Sequence, residues 1–463
     1  MVAPEGDSKR RTHQFIAWAV VVFVSIMATG ASHAALTDSQ QRVITAIQAH
    51  CKPLHDRFLE VPSSLSAGEQ AWAQSCWELE TTYNKLVSNG KPTGSALPSI
   101  KTLDELGRAL ERSSQFKPLT QGRAAIESAS GQFSVLGARL EALRMGATGF
   151  NLASLNAAPG SRYYALTNGR VRGGAAGDGG LLDNRLSFFA NGDFVFGSRD
   201  QTARQEAFDF NNNGVTAGLD YRFSDDFVLG LAGRYTGSDV AMVANGGDLA
   251  ADNYGLSTYG TYYRDDFHVD AIFTHQWSDY SMNRRIDYAT TDSRSLSSTA
   301  GTQYALSLGG GYDFRFGELT VTPDVRAQYV RAEIDAYNES GSEGGHDMHV
   351  TAQTVKSLIT TVGGKVSYAL STSFGVLTPH LRMVWNHEFE NDTRSVRAWY
   401  RFDPLKTTFG LLTDAPDRDY ATFDAGIAGQ FAHGIAGFIN YSTLFGLSYA
   451  EVHSVTAGVR MEF

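Results

Sequence analysis

From Arg185 to the last residue, apolar and polar side chains alternate with period two. NGVTAGLDYRF places Val215, Ala217, Leu219, Tyr221 and Phe223 on one side and Thr216, Gly218, Asp220 and Arg222 on the other. FVLGLAGRY, YALSLGGGYDFRF and VLTPHLRMVWNHEF repeat the device, and so does the terminal SVTAGVRMEF, whose Val455, Ala457, Val459, Met461 and Phe463 share one parity. Such alternation marks strands with one apolar and one polar face. Twelve strands are expected, near 185–198, 206–223, 226–238, 252–264, 266–280, 299–315, 317–334, 350–371, 374–391, 418–432, 434–446 and 450–463. Tight turns such as FSDDF, YRDDF and RFGEL join them in alternation with long polar stretches around 239–251, 281–298, 335–349 and 391–418. An even number of antiparallel strands with one short-turn rim and one long-loop rim is the signature of a transmembrane β-barrel. The alternating runs often reach ten residues, enough to cross a bilayer when tilted, whereas sandwich strands are usually shorter. The last strand is then expected to pair with the first, because lipid cannot satisfy an open edge.

Upstream the period changes. In SLSAGEQAWAQSCWELETTYNKL, Ser66 and Glu69 have capping-box spacing, and Trp72, Cys76 and Leu79 then recur at helical intervals. Thr102 and Glu105 repeat the box before Leu106 and Leu110. Residues 35–130 read as a small α-helical domain. In SVLGARLEALR, Leu136, Leu140 and Leu143 share a face that Arg139, Glu141 and Arg144 avoid. Residues 157–184 are rich in glycine and alanine and read as a connector, so 131–184 is a linker carrying one helix. The fold class expected is α+β: a C-terminal 12-stranded antiparallel transmembrane β-barrel over 185–463, preceded by a small helical domain and a linker helix.

Composition agrees. Tyrosine (20) and phenylalanine (27) are abundant, only 19% of residues are charged, and 47 glycines stand against 11 prolines. The net charge of −10 argues against nucleic acid as a partner. A mean hydropathy of −0.23 excludes a helical multi-span membrane protein. Lys9, Arg10 and Arg11 precede the apolar run Phe15 to Met27, which is followed by small residues at Ser32 and Ala34. Residues 1–34 therefore read as a cleavable export signal. In the oxidising compartment beyond the inner membrane, Cys51 and Cys76, the two cysteines present, are expected to pair.

NRLSFFANGDFVFGSRD, FDFNNNGVTAGLDYRFSDDFVLG, TPHLRMVWNHEFEND, DRDYATFDAGIAGQF and the terminal VTAGVRMEF resemble the β-domain of autotransporters, the type V secretion proteins. The resemblance covers about 185–463 and implies a twelve-strand barrel that translocates and anchors a passenger. It implies the outer-membrane bilayer, the barrel-assembly machinery and periplasmic chaperones as partners, with Phe463 at the position of the assembly signal. It also implies a helix inside the pore, for which SVLGARLEALR is similar to known segments, with Arg139, Glu141 and Arg144 facing lumenal charges such as Asp220, Arg222, Asp313 and Glu388. The alternative places that helix on the N-terminal module, its leucines forming ordinary core. The passenger, short and helical, departs from the long repetitive passengers common in the family. No Asn-Asn pair lies between 131 and 184, where some relatives cut themselves, so the passenger is expected to stay attached.

Catalytic motifs are sparse. Neither GxSxG nor HExxH occurs, and no cofactor or enzymatic activity is expected. His346 and His349 could clip a metal but read better as a solvated loop tip, with no metal site. His387, Glu388 and Asp392 lie near a rim, yet alternation sends the first two to opposite faces. Glycines 309–311 belong to a strand, since no helix follows to make a phosphate cradle. The competing function is a channel or adhesin barrel with a periplasmic or plugging helical module.

Overall fold

The alternation closes into a cylinder. A computed structural model describes residues 35–88, 95–114, 118–144, 185–202, 204–243, 246–431 and 435–461. The expected export signal, the Gly-rich connector and Phe463 lie outside these residues.

Four helices come first: α1 (Asp38–Glu60), α2 (Ala67–Ser88), α3 (Leu103–Ser114) and α4 (Pro118–Arg144). Both capping boxes form. The Ser66 N–H donates to Glu69 (2.8 Å) while the Glu69 N–H donates to Ser66 Oγ (3.3 Å). Thr102 and Glu105 exchange the same pair of bonds. Thr37 and Gln40 build a third box at the start of α1, which the spacing at 66 and 102 did not bring to notice because Gln replaces Glu. Cys51 of α1 and Cys76 of α2 are joined by a disulfide, with Cα atoms 5.7 Å apart.

The strands follow in chain order: β1 (Leu186–Arg199), β2 (Phe208–Ser224), β3 (Phe227–Met242), β4 (Gly247–Arg264), β5 (Phe267–Tyr288), β6 (Thr291–Tyr312), β7 (Phe314–Phe316), β8 (Leu319–Ile334) and β9 (Tyr337–Asn338). Then come β10 (Met348–Val350), β11 (Gln353–Tyr368), β12 (Leu370–Thr372), β13 (Gly375–Glu388), β14 (Ser395–Tyr400), β15 (Phe409–Leu412), β16 (Asp419–Phe431), β17 (Ile435–Phe445) and β18 (Ala450–Met461). Twelve of them, β1 to β6, β8, β11, β13 and β16 to β18, pair in sequence into an antiparallel barrel, with β7 and β12 as short extensions. β1 pairs with β18 from Ala190–Val459 to Arg199–Ala450, so first and last strands seal the wall. Exposed apolar side chains such as Leu219, Leu231, Leu308 and Leu381 cover the outer face, bounded by aromatics at both levels (Tyr221, Phe267 and Tyr312 below; Tyr235, Tyr254 and Trp385 above).

The long polar stretches are more ordered than expected. Residues 281–298 are no loop: β5 and β6 stay paired up to Tyr288 and Thr291. Their alternation was masked because the inward side mixes Met282 and Ile286 with Arg284, Ser293 and Ser295. Residues 239–251 are largely strand as well. Within 335–349 and 391–418, β9, β10, β14 and β15 form a separate four-stranded sheet at the long-loop rim. That sheet and the tall β5–β6 hairpin meet α1, α2 and α3 in one apolar core. Val43, Ile47, Trp72 and Leu106 pack there with Met282, Ile286, Met348, Val396, Tyr400 and Phe409. α4 differs too. It runs unbroken from Pro118, across the boundary expected at 130, because its small residues (Gly122, Ala124, Ala125, Ser128, Ala129, Ser130, Gly131) hide the helical period.

Candidate functional site

α4 occupies the barrel lumen, its first turns at the long-loop rim and Arg144 at the short-turn rim. One side is apolar. Phe133, Leu136, Leu140 and Leu143 pack on Phe189, Val228, Ala232, Tyr259, Ile272, Ala305 and Val330, the inward residues of β1, β3, β4, β5, β6 and β8. The leucine stripe therefore faces the barrel wall and not the N-terminal module.

The polar positions are matched to the wall one by one. Arg139 Nε donates to Asp220 Oδ2 at 2.9 Å, its Nη2 lies 2.8 Å from the same oxygen, and the guanidinium sits 5.0 Å from the Phe189 ring centroid. Tyr259 Oη adds a third donor to that oxygen at 3.2 Å. Arg144 Nη1 donates to both oxygens of Asp270, at 2.6 and 2.7 Å, and Arg326 approaches the same carboxylate at 3.4 Å. Glu141 pairs with Lys365. Between the ion pairs, Gln132 donates to Ser257 (2.8 Å) and accepts from Thr216 (3.3 Å), and Ser128 donates to Gln276 (3.0 Å). Charged groups held this way satisfy one another where neither lipid nor bulk water is at hand.

Of the four lumenal partners expected, Asp220 pairs with the helix as expected. Arg222 reaches only the Leu143 carbonyl at 3.4 Å, Asp313 pairs with Arg315 and Thr322, and Glu388 accepts from Ser357 Oγ and the Leu358 N–H. Asp270 and Lys365 were missed, although both lie on the inward parity of their strands. Parity alone gives a face; only the strand heights, set by the register, say which residue meets which turn of the helix.

The helix does not fill the lumen. Its other side, with Gly131, Ser134, Gly137 and Glu141, borders a cavity of about 710 Å³ lined by β11, β13 and β16 to β18. Charges on nearby strands pair along its wall: Arg382 of β13 donates to Asp324 of β8 at 2.8 Å and lies 3.4 Å from its cross-strand partner Asp424. A Cβ added to Gly137 would meet nothing within 4 Å, whereas one added to Gly122 would lie 2.7 Å from Arg394 Nη2 and 2.9 Å from Val355 Cγ2.

Above the rim, Trp72 is fully buried. It stacks on Tyr400 at 4.0 Å and donates from Nε1 to His50 Nε2 at 3.0 Å. Gly345, at φ +68, lets the loop backbone touch α2 there. His346 is buried and not a solvated tip: its Nε2 meets Tyr288 Oη at 2.6 Å, while His349 turns away to Asn338 Oδ1 at 2.8 Å. The two imidazoles do not converge, and no cluster able to hold a metal occurs among the described residues. Burial, reinforced by the Arg284 cation, lowers the His346 pKa to about 3. Arg284 itself binds Glu339 through Nε (2.9 Å) and Nη2 (2.5 Å) and donates to the carbonyls of Ser113 and His346. Burial also depresses His50, against the opposing pull of Asp403, 3.2 Å from its Nδ1. His387 faces outward to Asp419 at 2.8 Å, opposite to Glu388.

A barrel closed around a helix that enters at the loop rim and ends at the turn rim is an architecture for passing a chain through a membrane. The family model "Autotransporter beta-domain" matches residues 188–442. The chain belongs to the autotransporter β-domain family. Its barrel is a β-domain of the outer membrane. This autotransporter is 27% identical over 266 residues to outer membrane protein A of Rickettsia conorii, covering 55% of this chain and 13% of that protein. It is 25% identical over 233 residues to esterase EstA of Pseudomonas aeruginosa, covering 49% of this chain and 33% of the esterase. The chain thus spans a minor part of the length of these relatives. Among solved structures, the translocator domain of NalP from Neisseria meningitidis superposes with a TM-score of 0.50 at 18% identity, over 66% of this chain and 94% of that one, a likeness of fold.

Proposed function

We propose that the helical module of α1 to α3 is the passenger of this autotransporter, that it reaches the surface through the barrel, and that it stays there as a folded cap on its own translocator. The observation that supports this reading is the shared core: the module's apolar residues and those of the long-loop sheet form one cluster, at the rim where α4 enters the lumen. A cap whose core is half barrel has no reason to leave. Residues 1–34 act as the export signal, 131–144 as the pore helix, and Phe463 as the mark read by the barrel-assembly machinery.

We infer a passenger that acts by its surface and not by turnover. EstA is an esterase by its name, but among the described residues no hydroxyl is hydrogen-bonded to His50 of the His50–Asp403 pair. Nε2 is occupied by the Trp72 N–H at 3.0 Å, and Nδ1 lies 3.2 Å from Asp403.

The test is an epitope tag with a protease site placed ahead of Leu36, probed on intact cells. Loss of the tag to external protease, with the heat-modifiable barrel band intact, supports surface display. Cleavage only after the outer membrane is opened would make the module periplasmic and end this reading.

A further inference from the structure

The outer face of the barrel carries a row of residues that differ in chemistry from those beneath them. Reading laterally across β5, β6, β8 and β11, His275 pairs with Tyr304, Tyr304 with Arg331 and Arg331 with Lys356. One row nearer the short turns, the outward residues are Phe273, Leu306, Tyr329 and Leu358, all apolar. The cations therefore begin where the apolar belt ends, at the long-loop side, and adjacent strands set them about 5 Å apart.

Three features separate this patch from an ordinary solvated face. Lys356 is exposed and makes no ion pair among the described residues. Arg331 is 46% exposed and gives Nε and Nη2 to Glu333 of the row above, at 3.0 and 2.6 Å. Tyr304, 51% exposed, is held upright by stacking on His275 at 4.5 Å, with Trp277 against that imidazole at 4.3 Å. Just above this level, the outward charges on β3, β4 and β5 are acidic (Asp239, Asp252 and Asp279), and the next outward cation on β5, Arg285, lies higher and is paired with Asp292. Positive charge at the membrane interface is gathered on one side.

We propose that Tyr304, Arg331 and Lys356 form a binding site for the phosphate of an outer-leaflet glycolipid, whose acyl chains lie on Phe273, Leu306, Tyr329 and Leu358. The height fits: a phosphate just above hydrocarbon meets a tyrosine hydroxyl, an ammonium and a guanidinium, donors suited to its oxygens. Glu333 neutralises part of Arg331, so Lys356 supplies the uncompensated charge. His275 is a positioning residue for Tyr304.

The test is native mass spectrometry of the full-length protein in detergent with added lipid A, a bis-phosphorylated glycolipid, and with its phosphate-stripped form. Lipid A is expected to be retained at least about 10-fold better than the stripped lipid. The R331Q/K356Q variant, checked for a heat-modifiable barrel, should lose that preference, while D252N keeps it. Should the double variant not fold, K356E alone is expected to show the same loss. Equal retention of the two lipids, wild-type retention by the charge variants, or displacement of lipid A by millimolar inorganic phosphate would each overturn the proposal, the last by making the site one for the free ion.

Discussion

Replacing Arg139 with glutamine tests whether α4 is held in the lumen by its ion pairs or by its leucines alone. Both members of the Arg139–Asp220 pair are buried, with side chains 4% and 2% exposed. At 2.8 Å and an effective dielectric near 20, their attraction is about 6 kcal/mol, most of it offset by the desolvation already incurred. Deleting one partner strands the other. Asp220 keeps only the Tyr259 hydroxyl, and a buried charge left this way costs about 3–5 kcal/mol. Hydrogen exchange of α4 amides in detergent micelles reads this as local opening. Protection in R139Q should fall by roughly two to four orders of magnitude, while the strands β2 and β3 keep theirs. The D220N variant should fall comparably, and the double variant R139Q/D220N should recover much of the loss, because no charge is then stranded. If R139Q leaves protection within about threefold of wild type, or if the two single losses simply add, the pair does not anchor the helix and the reasoning fails.

Other expectations follow from the same geometry. G137L, which points into the 710 Å³ cavity, should leave barrel stability unchanged, whereas G122L should lower the heat-modification midpoint as Arg394 and Val355 are pushed aside. W72A should loosen the cap by about 3–5 kcal/mol in thermal melts followed by near-ultraviolet dichroism, without unfolding the barrel. Reduction of Cys51–Cys76, which closes a span of 25 residues, should cost the cap roughly 3 kcal/mol. Acid should also loosen it. His346 is neutral when folded, with its pKa near 3, and takes a proton near its ordinary value of 6.5 once released, so stability is full above that value and declines as pH falls towards 3. At pH 5 the loss is about 2 kcal/mol, visible as faster proteolysis of α1 to α3. Tyr288 Oη, Arg284 with its partner Glu339, and the Trp72 edge surround this imidazole, and none offers a second anion close by. An unchanged proteolysis rate between pH 7 and 5 would contradict the assignment.

The barrel was legible because its period of two is enforced by two solvents: Leu219 and Asp220 cannot exchange faces when one meets lipid and the other a charged lumen. The cap was not. Met282, Arg284 and Ile286 continue the strand alternation, but above the bilayer the inward face packs against a protein module and mixes apolar with polar groups, so the pattern fades where the environment changes. Arg139, Glu141 and Arg144 were recognisable as a polar helix face from spacing alone. Their partners depended on register: Asp270 and Lys365 face inward like a dozen other residues, and only the pairing of strands brings them level with the last turns of α4. His346 misled for a related reason. GGHDMH reads as a mobile tip, and nothing local announces that Gly345 turns the chain under Trp72.

The shared core of cap and loop sheet also orders events in time. Val43, Ile47 and Trp72 are synthesised and exported well before Met348, Val396, Tyr400 and Phe409, which complete their packing from several hundred residues downstream. A module missing half its core gains too little from burial to offset the entropy of folding. On the function proposed above, the module has no mould until the barrel is inserted, and an unmoulded chain is one that can be threaded. Its template waits on the far side of the membrane, so the same contacts that make the cap stable outside withhold that stability inside.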